Sequence, residues 1–253
     1  MSASKIALLI IGQEILSGKI TDANTPYAAK LFYEKGITLA KVEYVPDDID
    51  EIACAVKELS EKYDYLITSG GIGPTHDDVT MEGIAKALGQ KIIKHNYLET
   101  TLIRHYKGAV LTAAQGRMAI VPEKAEILVP TTYDEDYFLP QVYVGNIYIM
   151  PGVPKSFAHY LNQIIHLFSG QPLLHDEISI KGIETKLTAA LNRSVHKFPT
   201  VRFGSYPSFE PSNPDSFIVE ITMESLEAET LKEAREFLIQ QLPKDMKVLD
   251  KEI

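Results

Sequence analysis

The segment 69–80, SGGIGPTHDDVT, contains the residues best suited to hold a phosphorylated ligand. Gly70, Gly71 and Gly73 allow the backbone to approach a ligand closely, and the N–H groups of such a loop and of the helix start that follows attract anions. The segment matches no standard nucleotide fingerprint, because His76 stands where G-x-G-x-x-G requires its third glycine. A phosphate-binding loop and a tight turn before a capped helix are therefore the two interpretations.

Acidic residues accompany this loop after several β-rich stretches: Glu14, Asp22, Asp47, Asp48, Asp77 and Asp78. If they share one edge of a sheet, a hard divalent cation (Mg²⁺, Mn²⁺ or Co²⁺, with K⁺ as a further candidate) would reconcile their charge with a phosphate. We take Asp78 and Asp47 as the candidate metal ligands. The alternative is that Asp77 and Asp78 cap the next helix and that the other acids are solvated loop residues.

Two further positions could contact a ligand. The turn 151–154, Pro-Gly-Val-Pro, precedes a predicted helix, and the hydroxyl of Ser156 could touch a ligand there or support the helix cap. His76 is either a proton carrier in the glycine loop or an exposed turn histidine. The seven histidines show no His-Glu-x-x-His or Cys/His zinc spacing.

Alternating β-rich and helical stretches must position these loops. The predicted strands are 5–11, 37–45 and 65–68, and the predicted helices are 25–34, 49–63 and 79–88. This alternation predicts a parallel α/β sheet, in which ligands bind beyond the carboxyl ends of the strands. Helix 49–63 carries an apolar stripe of Ile49, Ile52, Val56 and Leu59 with Asp48 as N-cap, and Gly36 and Gly89 occupy helix C-cap positions.

The middle of the chain continues this pattern. Residues 95–106 are predicted to be helical, 118–129 to resemble a hairpin, 143–150 to form one strand, and 154–168 to form a helix with Pro154 in its first turn. A polar break at 169–172 separates a domain at 1–170 from a second domain at 171–253.

The second domain has a different order of elements. Strands at 175–181, 201–206, 217–224 and 246–249 alternate with helices at 183–196 and 226–242 as βαββαβ, the ferredoxin-like layout. Pro207, Pro211 and Pro214 predict that 205–216 is a stiff, extended loop and not a tight hairpin.

Composition limits the kind of protein this can be. The chain has 253 residues, of which 45% are apolar and 23% charged, which is typical of a globular protein. A net charge of −9 argues against nucleic acid as a partner. The single cysteine, Cys54, and the short apolar run at 6–11, which fits neither a signal peptide nor a membrane span, predict a cytoplasmic location without membrane association.

Four motifs resemble those of the molybdopterin-binding-like domain family: Gly12-x-Glu14-x-Leu16-x-Gly18-x-Ile20-x-Asp22-x-Asn24, 45–48, 68–80 and 151–154. The family includes the MoaB/Mog proteins and the N-terminal half of CinA-like proteins, and the similarity is greatest to the molybdopterin-binding-like domain of eukaryotic FAD synthase. The resemblance covers essentially the whole chain. It implies a three-layer α/β sandwich with a mostly parallel sheet, a small α+β domain of ferredoxin-like or KH-like type, and a homo-oligomer.

The resemblance also implies roles for individual residues. Asp78 helps to hold a pterin or nucleotide and its metal, the glycines of the loop bind phosphate, and residues 152–156 contribute from the other side. The candidate catalytic residues are Asp78, Asp77 and Asp48. The candidate ligand-binding residues are Gly70, Gly71, Gly73, Pro74, Thr75, Thr80, Glu14, Asn24, Gly152, Pro154 and Ser156. Gln13 stands where relatives often have Asp or Asn, and Ala23 where they often have Thr, so the polar ligand contacts of those residues are not expected from these two side chains.

For members of the CinA and FAD synthase type, the resemblance implies metal-dependent hydrolysis of a dinucleotide pyrophosphate, FAD (to FMN and AMP) or ADP-ribose. The sequence shows no module that makes FAD from FMN, so FAD synthesis is not expected. Two alternatives are a module that binds a pterin or flavin nucleotide without turnover and a molybdopterin adenylyltransferase-like protein. Each takes a small-molecule nucleotide or pterin as its ligand.

Overall fold

A mostly parallel sheet organises the first part of the chain in the computed structural model, which describes residues 3–129, 136–210 and 213–249. Six strands of these residues are ordered β2-β1-β3-β8-β7-β6. The parallel strands are β1 (Lys5–Ile11), β2 (Thr38–Val45), β3 (Tyr65–Ser69) and β8 (Ile147–Met150). The antiparallel edge consists of β7 (Gln141–Val144) and β6 (Glu126–Leu128). The carboxyl ends of the four parallel strands therefore meet at one edge.

Helices cover both faces of this sheet. The bounds are α1 (Gln13–Leu16), α2 (Asn24–Glu34), α3 (Ile49–Lys62), α4 (Thr80–Ala87), α5 (Asn96–His105), α6 (Ala113–Arg117) and α7 (Pro154–Ile164), which continues into a 3₁₀ turn, Ile165–Leu167. The sheet has a hydrophobic core on each face, and successive side chains of β1 alternate between the two. Leu9 belongs to the core that contains residues of α3, α4 and α5, whereas Leu8 belongs to the core that contains residues of α2 and α7. The predicted three-layer α/β sandwich is confirmed.

The capping residues predicted for helices α2, α3 and α4 have the expected geometry in the structure. The Asp48 carboxylate accepts hydrogen bonds from the backbone N–H groups of Asp50 and Glu51 and so caps α3. In the predicted stripe Ile52, Val56 and Leu59 are buried, while Ile49 is 37% exposed. Gly36 and Gly89 have left-handed φ angles of 66° and 62°, as helix C-cap glycines do.

Two predictions for the middle of the chain are wrong. Residues 143–150 form two antiparallel strands, β7 and β8, because Gly145 (φ 59°) turns the chain and the Asn146 side chain donates to the Ser60 carbonyl at 2.9 Å. Residues 118–129 are not a hairpin. β5 (Ile120–Pro122) pairs with β4 (Ile92–Lys94) in a separate sheet, whereas β6 joins the main sheet.

The chain divides into two compact units, Met1–Gly170 and Gln171–Ile253. In the second unit an antiparallel sheet of the described residues has the order β10-β11-β9-β12, with helices α8 and α9. The bounds are β9 (Leu174–Lys181), α8 (Glu184–Lys197), β10 (Arg202–Glu210), β11 (Asn213–Ser225), α9 (Ala228–Gln241) and β12 (Lys247–Leu249). This is the predicted βαββαβ arrangement of ferredoxin-like type.

The prediction of a stiff loop at 205–216 is wrong. β10 and β11 pair antiparallel through this region, with Pro207 opposite Val219. β10 is an edge strand of its sheet, and an edge position tolerates a residue that lacks an N–H donor. Residues 211 and 212, including Pro211, lie outside the described residues.

The glycine loop offers a test of backbone packing. Gly70 has φ 111°, and a Cβ there would lie 2.1 Å from the Ile11 carbonyl oxygen. We expect Gly70→Ala to reduce the free energy of unfolding by more than the roughly 1–2 kcal/mol that a left-handed alanine costs alone. Gly89→Ala is the matched control, because Gly89 has φ 62° and open space around its Cβ position. Urea denaturation measures both, and equal losses would contradict the backbone clash.

Candidate functional site

A cleft of about 680 Å³ lies at the carboxyl edge of the parallel strands. The loops that follow β1, β2, β3 and β8 all contribute to it, which confirms that these loops converge. The lining contains twelve of the predicted site residues: Glu14, Asn24, Asp47, Gly70, Gly71, Gly73, Thr75, Asp77, Asp78, Gly152, Pro154 and Ser156. The other three, Asp48, Pro74 and Thr80, do not line it. Asp48 is occupied as the α3 cap.

The centre of the cleft is a backbone junction between three strand ends. The Gly70 N–H donates to the Met150 carbonyl at 3.1 Å, and a Cβ at Gly152 would lie 3.2 Å from the Gly70 Cα. Buried Asn24 ties the loops together, because its Nδ2 donates to Ser69 Oγ and to the Gly152 carbonyl, both at 2.8 Å. The same side chain leaves Oδ1 buried without a hydrogen-bond partner among the described atoms.

The two aspartates of the glycine loop converge on one hydroxyl. Thr75 Oγ1 lies 2.5 Å from Asp77 Oδ1 and 2.5 Å from Asp78 Oδ2, and the Thr75 N–H donates to the same Asp78 oxygen at 2.7 Å. The hydrogen bond from Thr75 lowers the pKa of Asp77 below its ordinary value. Asp77 therefore stays charged, and its carboxylate lies close to that of Asp78 in the lining of the cleft.

Helix capping by these aspartates, the alternative interpretation, is wrong. α4 begins at Thr80 after Val79, and no side chain caps it. Buried Thr80 anchors the helix start instead, because its Oγ1 donates to the Gly70 carbonyl at 2.9 Å. Arg117 of α6 holds the loop from another side, since Nη2 donates to the Asp78 carbonyl at 2.9 Å. Hydrogen bonds within its own loop therefore orient the Asp78 carboxylate, and this carboxylate does not cap α4.

Two further acids of the cleft, Asp47 and Asp22, are also held by hydrogen bonds. Asp47 Oδ2 accepts from the Gln13 N–H at 2.8 Å. Asp22 accepts from the N–H groups of Asn24 and Thr25 and from the Tyr44 hydroxyl. Partial burial raises the pKa of Asp22, but the hydrogen bonds from Thr25, Tyr44 and Asn24 outweigh burial, and the net pKa is lowered.

The structure bears on two further predictions, the metal ligands and the role of His76. Among residues 3–129, 136–210 and 213–249, no three or more His, Cys, Asp or Glu side chains are grouped so that they could hold a metal ion. The assignment of Asp78 and Asp47 as metal ligands stays a prediction. The His76 side chain is 96% exposed and outside the cleft lining, which favours an exposed turn histidine.

Sequence reasoning missed one wall of the cleft. Residues 136–140, Gln141 and apolar side chains from other elements line it, including Leu98 and Met118. β7 begins at this edge because it runs antiparallel to β8. The dipeptide Gly145-Asn146 between two apolar runs is a hairpin signal, and it could have shown that Gln141 returns to the edge.

The lowered pKa of Asp22 gives a prediction for stability. A carboxylate with a depressed pKa in the folded state stabilises the fold above its unfolded pKa, and this contribution is lost as pH falls through the folded pKa. We expect Asp22→Asn to be less stable than the wild type by a constant amount above about pH 5, with the difference shrinking below about pH 4. Urea midpoints across pH check this, and a difference that grows on acidification would contradict it.

Comparison with known proteins agrees with this geometry. Residues 7–176 match the family model described as a probable molybdopterin binding domain, and residues 172–251 match the middle domain of FAD synthase. The chain therefore belongs to the molybdopterin-binding domain family. None of the described helices is long and apolar enough to cross a membrane.

Individual relatives support this membership. A protein of Archaeoglobus fulgidus is 34% identical, with 79% of this chain and 84% of the relative covered. A probable FAD synthase of Caenorhabditis elegans is 28% identical over 89% of this chain, which spans only 47% of that relative. The crystal structure of a CinA protein of unknown function from Thermoplasma acidophilum is 30% identical with a TM-score of 0.58, covering 65% of this chain and 97% of that one.

Proposed function

We propose that this chain is a metal-dependent nucleotide pyrophosphatase that hydrolyses FAD, to FMN and AMP, or an ADP-ribose-type dinucleotide. The observation that carries the proposal is the pair of carboxylates, Asp77 and Asp78, held together on the Thr75 hydroxyl beside the glycine loop. Both line a cleft whose volume of about 680 Å³ falls in the range usual for small-molecule sites. Similarity to FAD synthase and CinA-like proteins supports the choice of substrate class.

The glycine loop suits the phosphates of such a ligand. Gly70 and Gly71 have left-handed φ angles of 111° and 63° and lack side chains, so the backbone can approach a phosphate closely. The start of α4 follows at Thr80 and adds the positive end of a helix dipole. The acids of the cleft repel a phosphate, so binding needs a cation between them.

The donor set fits one kind of cation. Mg²⁺ keeps several waters and takes one or two protein carboxylates together with substrate phosphates, so it requires no complete protein cage. Asp77 and Asp78 supply two neighbouring carboxylates, and Asp47 is a further candidate ligand at the same cleft. When bound, the cation would polarise a phosphoryl oxygen and lower the pKa of a bound water.

The chain's own residues then perform defined tasks in hydrolysis. Water attacks one phosphorus, the bridging P–O bond breaks, and the second phosphate leaves with its nucleoside. Whichever of Asp77 and Asp78 is not a ligand of the cation accepts the proton of the water, while Thr75 and Arg117 keep the Asp78 segment in place. Asp48 is a weaker candidate for this base, because its carboxylate caps α3 outside the cleft lining.

Binding without turnover is the second candidate function. The family model is described by molybdopterin binding and not by hydrolysis, which favours a module that holds a pterin or flavin nucleotide. The same cleft serves either function, because phosphate binding at the glycine loop is common to both. Release of AMP separates them.

The test is chromatography of products after incubation with FAD, ADP-ribose or NAD, each with Mg²⁺, Mn²⁺, Co²⁺ or a chelator. We expect AMP release that requires metal and falls by about 100-fold or more in Asp78→Asn, which keeps the size of the side chain. Glu58→Gln, at an exposed position of α3, is the matched control. Unchanged turnover in Asp78→Asn would reject the assigned role, and ligand binding without AMP from any substrate would establish the binding module.

A further inference from the structure

One wall of the cleft is built from the side chains of a single hydrophobic cluster. Nine lining residues belong to or pack against this cluster: Ile11, Ile72, Met81, Leu98, Met118, Phe138, Leu139, Val142 and Ile149. Ile72 stands between Gly71 and Gly73, so the apolar part of the lining adjoins the glycine loop. A ligand that fills the cleft can therefore place a flat, apolar ring against this wall while its phosphates rest on the glycine loop.

A buried amide lies in this apolar wall. Gln141 lines the cleft yet is only 2% exposed. Its Nε2 donates to the carbonyl oxygens of Val142 at 2.9 Å and Ile149 at 2.7 Å. Since both partners are acceptors, the nitrogen must face them, and the amide cannot be turned around.

The orientation of this amide leaves one atom unused. Gln141 Oε1 is buried and has no hydrogen-bond partner among the described atoms. An acceptor buried in an apolar environment is costly to leave unpaired, so a donor from outside the chain is expected to satisfy it. The backbone around it is fixed, because the Tyr160 hydroxyl donates to the Leu139 carbonyl at 2.6 Å.

We infer that Gln141 Oε1 selects the ring of the ligand by accepting a hydrogen bond from a ring N–H. The chemical class is a nucleotide with a flat heterocycle that presents an amine or imide N–H beside an apolar face, as adenine and the flavin ring do. This inference rests on the proposed function, because the phosphates at the glycine loop place the ring. It goes further by assigning Gln141 as a specificity residue.

The test compares ligands that differ only at this donor. Equilibrium binding to the full chain is measured for AMP against purine riboside 5′-monophosphate, which lacks the amine, and for FMN against its N3-methyl derivative. In at least one pair we expect the ligand without the N–H to bind about tenfold more weakly or worse, because the buried oxygen is then left unpaired. In Gln141→Met both members of that pair should bind equally.

Controls separate this inference from its alternatives. Gln240→Met, at an exposed position of α9, should keep the preference of the wild type. If Gln141→Met fails to fold because two strand carbonyls lose their donors, the two ligand pairs with the wild-type chain still decide the question. Equal affinity within both pairs would overturn the inference, with water as the partner of Oε1, and would leave the proposed function standing. Failure of every nucleotide to bind would reject the proposed function as well.

Discussion

The close approach of backbone segments at Gly70 is the constraint on which the rest of the site depends. A Cβ at this residue would lie 2.1 Å from the Ile11 carbonyl, and a Cβ at Gly152 would lie 3.2 Å from the Gly70 Cα. Because no side chain separates them, the ends of β1, β3 and β8 meet directly, and Asn24 can bridge two of the loops with a single amide. The glycines thus set the shape of the cleft before any ligand enters.

The acids around this junction are ordered by the same backbone. Asp22 and Asp78 accept an N–H from within their own segments, and Asp47 accepts one from the loop after β1, so backbone hydrogen bonds orient these three carboxylates. Their negative charge disfavours a free phosphate and favours one that arrives with a cation. Shape and charge are therefore both consistent with the proposed ligand class, a phosphorylated molecule with a divalent metal.

The two parts of the chain carry separate family relationships. The α/β unit contains the whole cleft and matches the molybdopterin-binding domain family, whereas residues 172–251 match the middle domain of FAD synthase. The chain spans about half of the nematode FAD synthases that it matches. Because all residues that line the cleft belong to the α/β unit, hydrolysis or binding at the cleft can be tested independently of FAD synthesis.

The sequence by itself determined the parallel strands, the cap at Asp48 and the convergence of the loops, because hydrophobic periodicity and capping residues act within a few neighbours along the chain. Only the tertiary structure shows that β5 and β6 belong to different sheets and that β10 continues through Pro207. The reason is that a strand pairs with residues far away along the chain, which local sequence patterns do not specify. The tertiary structure also placed Gln141 in the cleft. The Gly145-Asn146 dipeptide is a local hairpin signal, but only the pairing of β7 with β8 shows that β7 begins at the edge where the cleft lies.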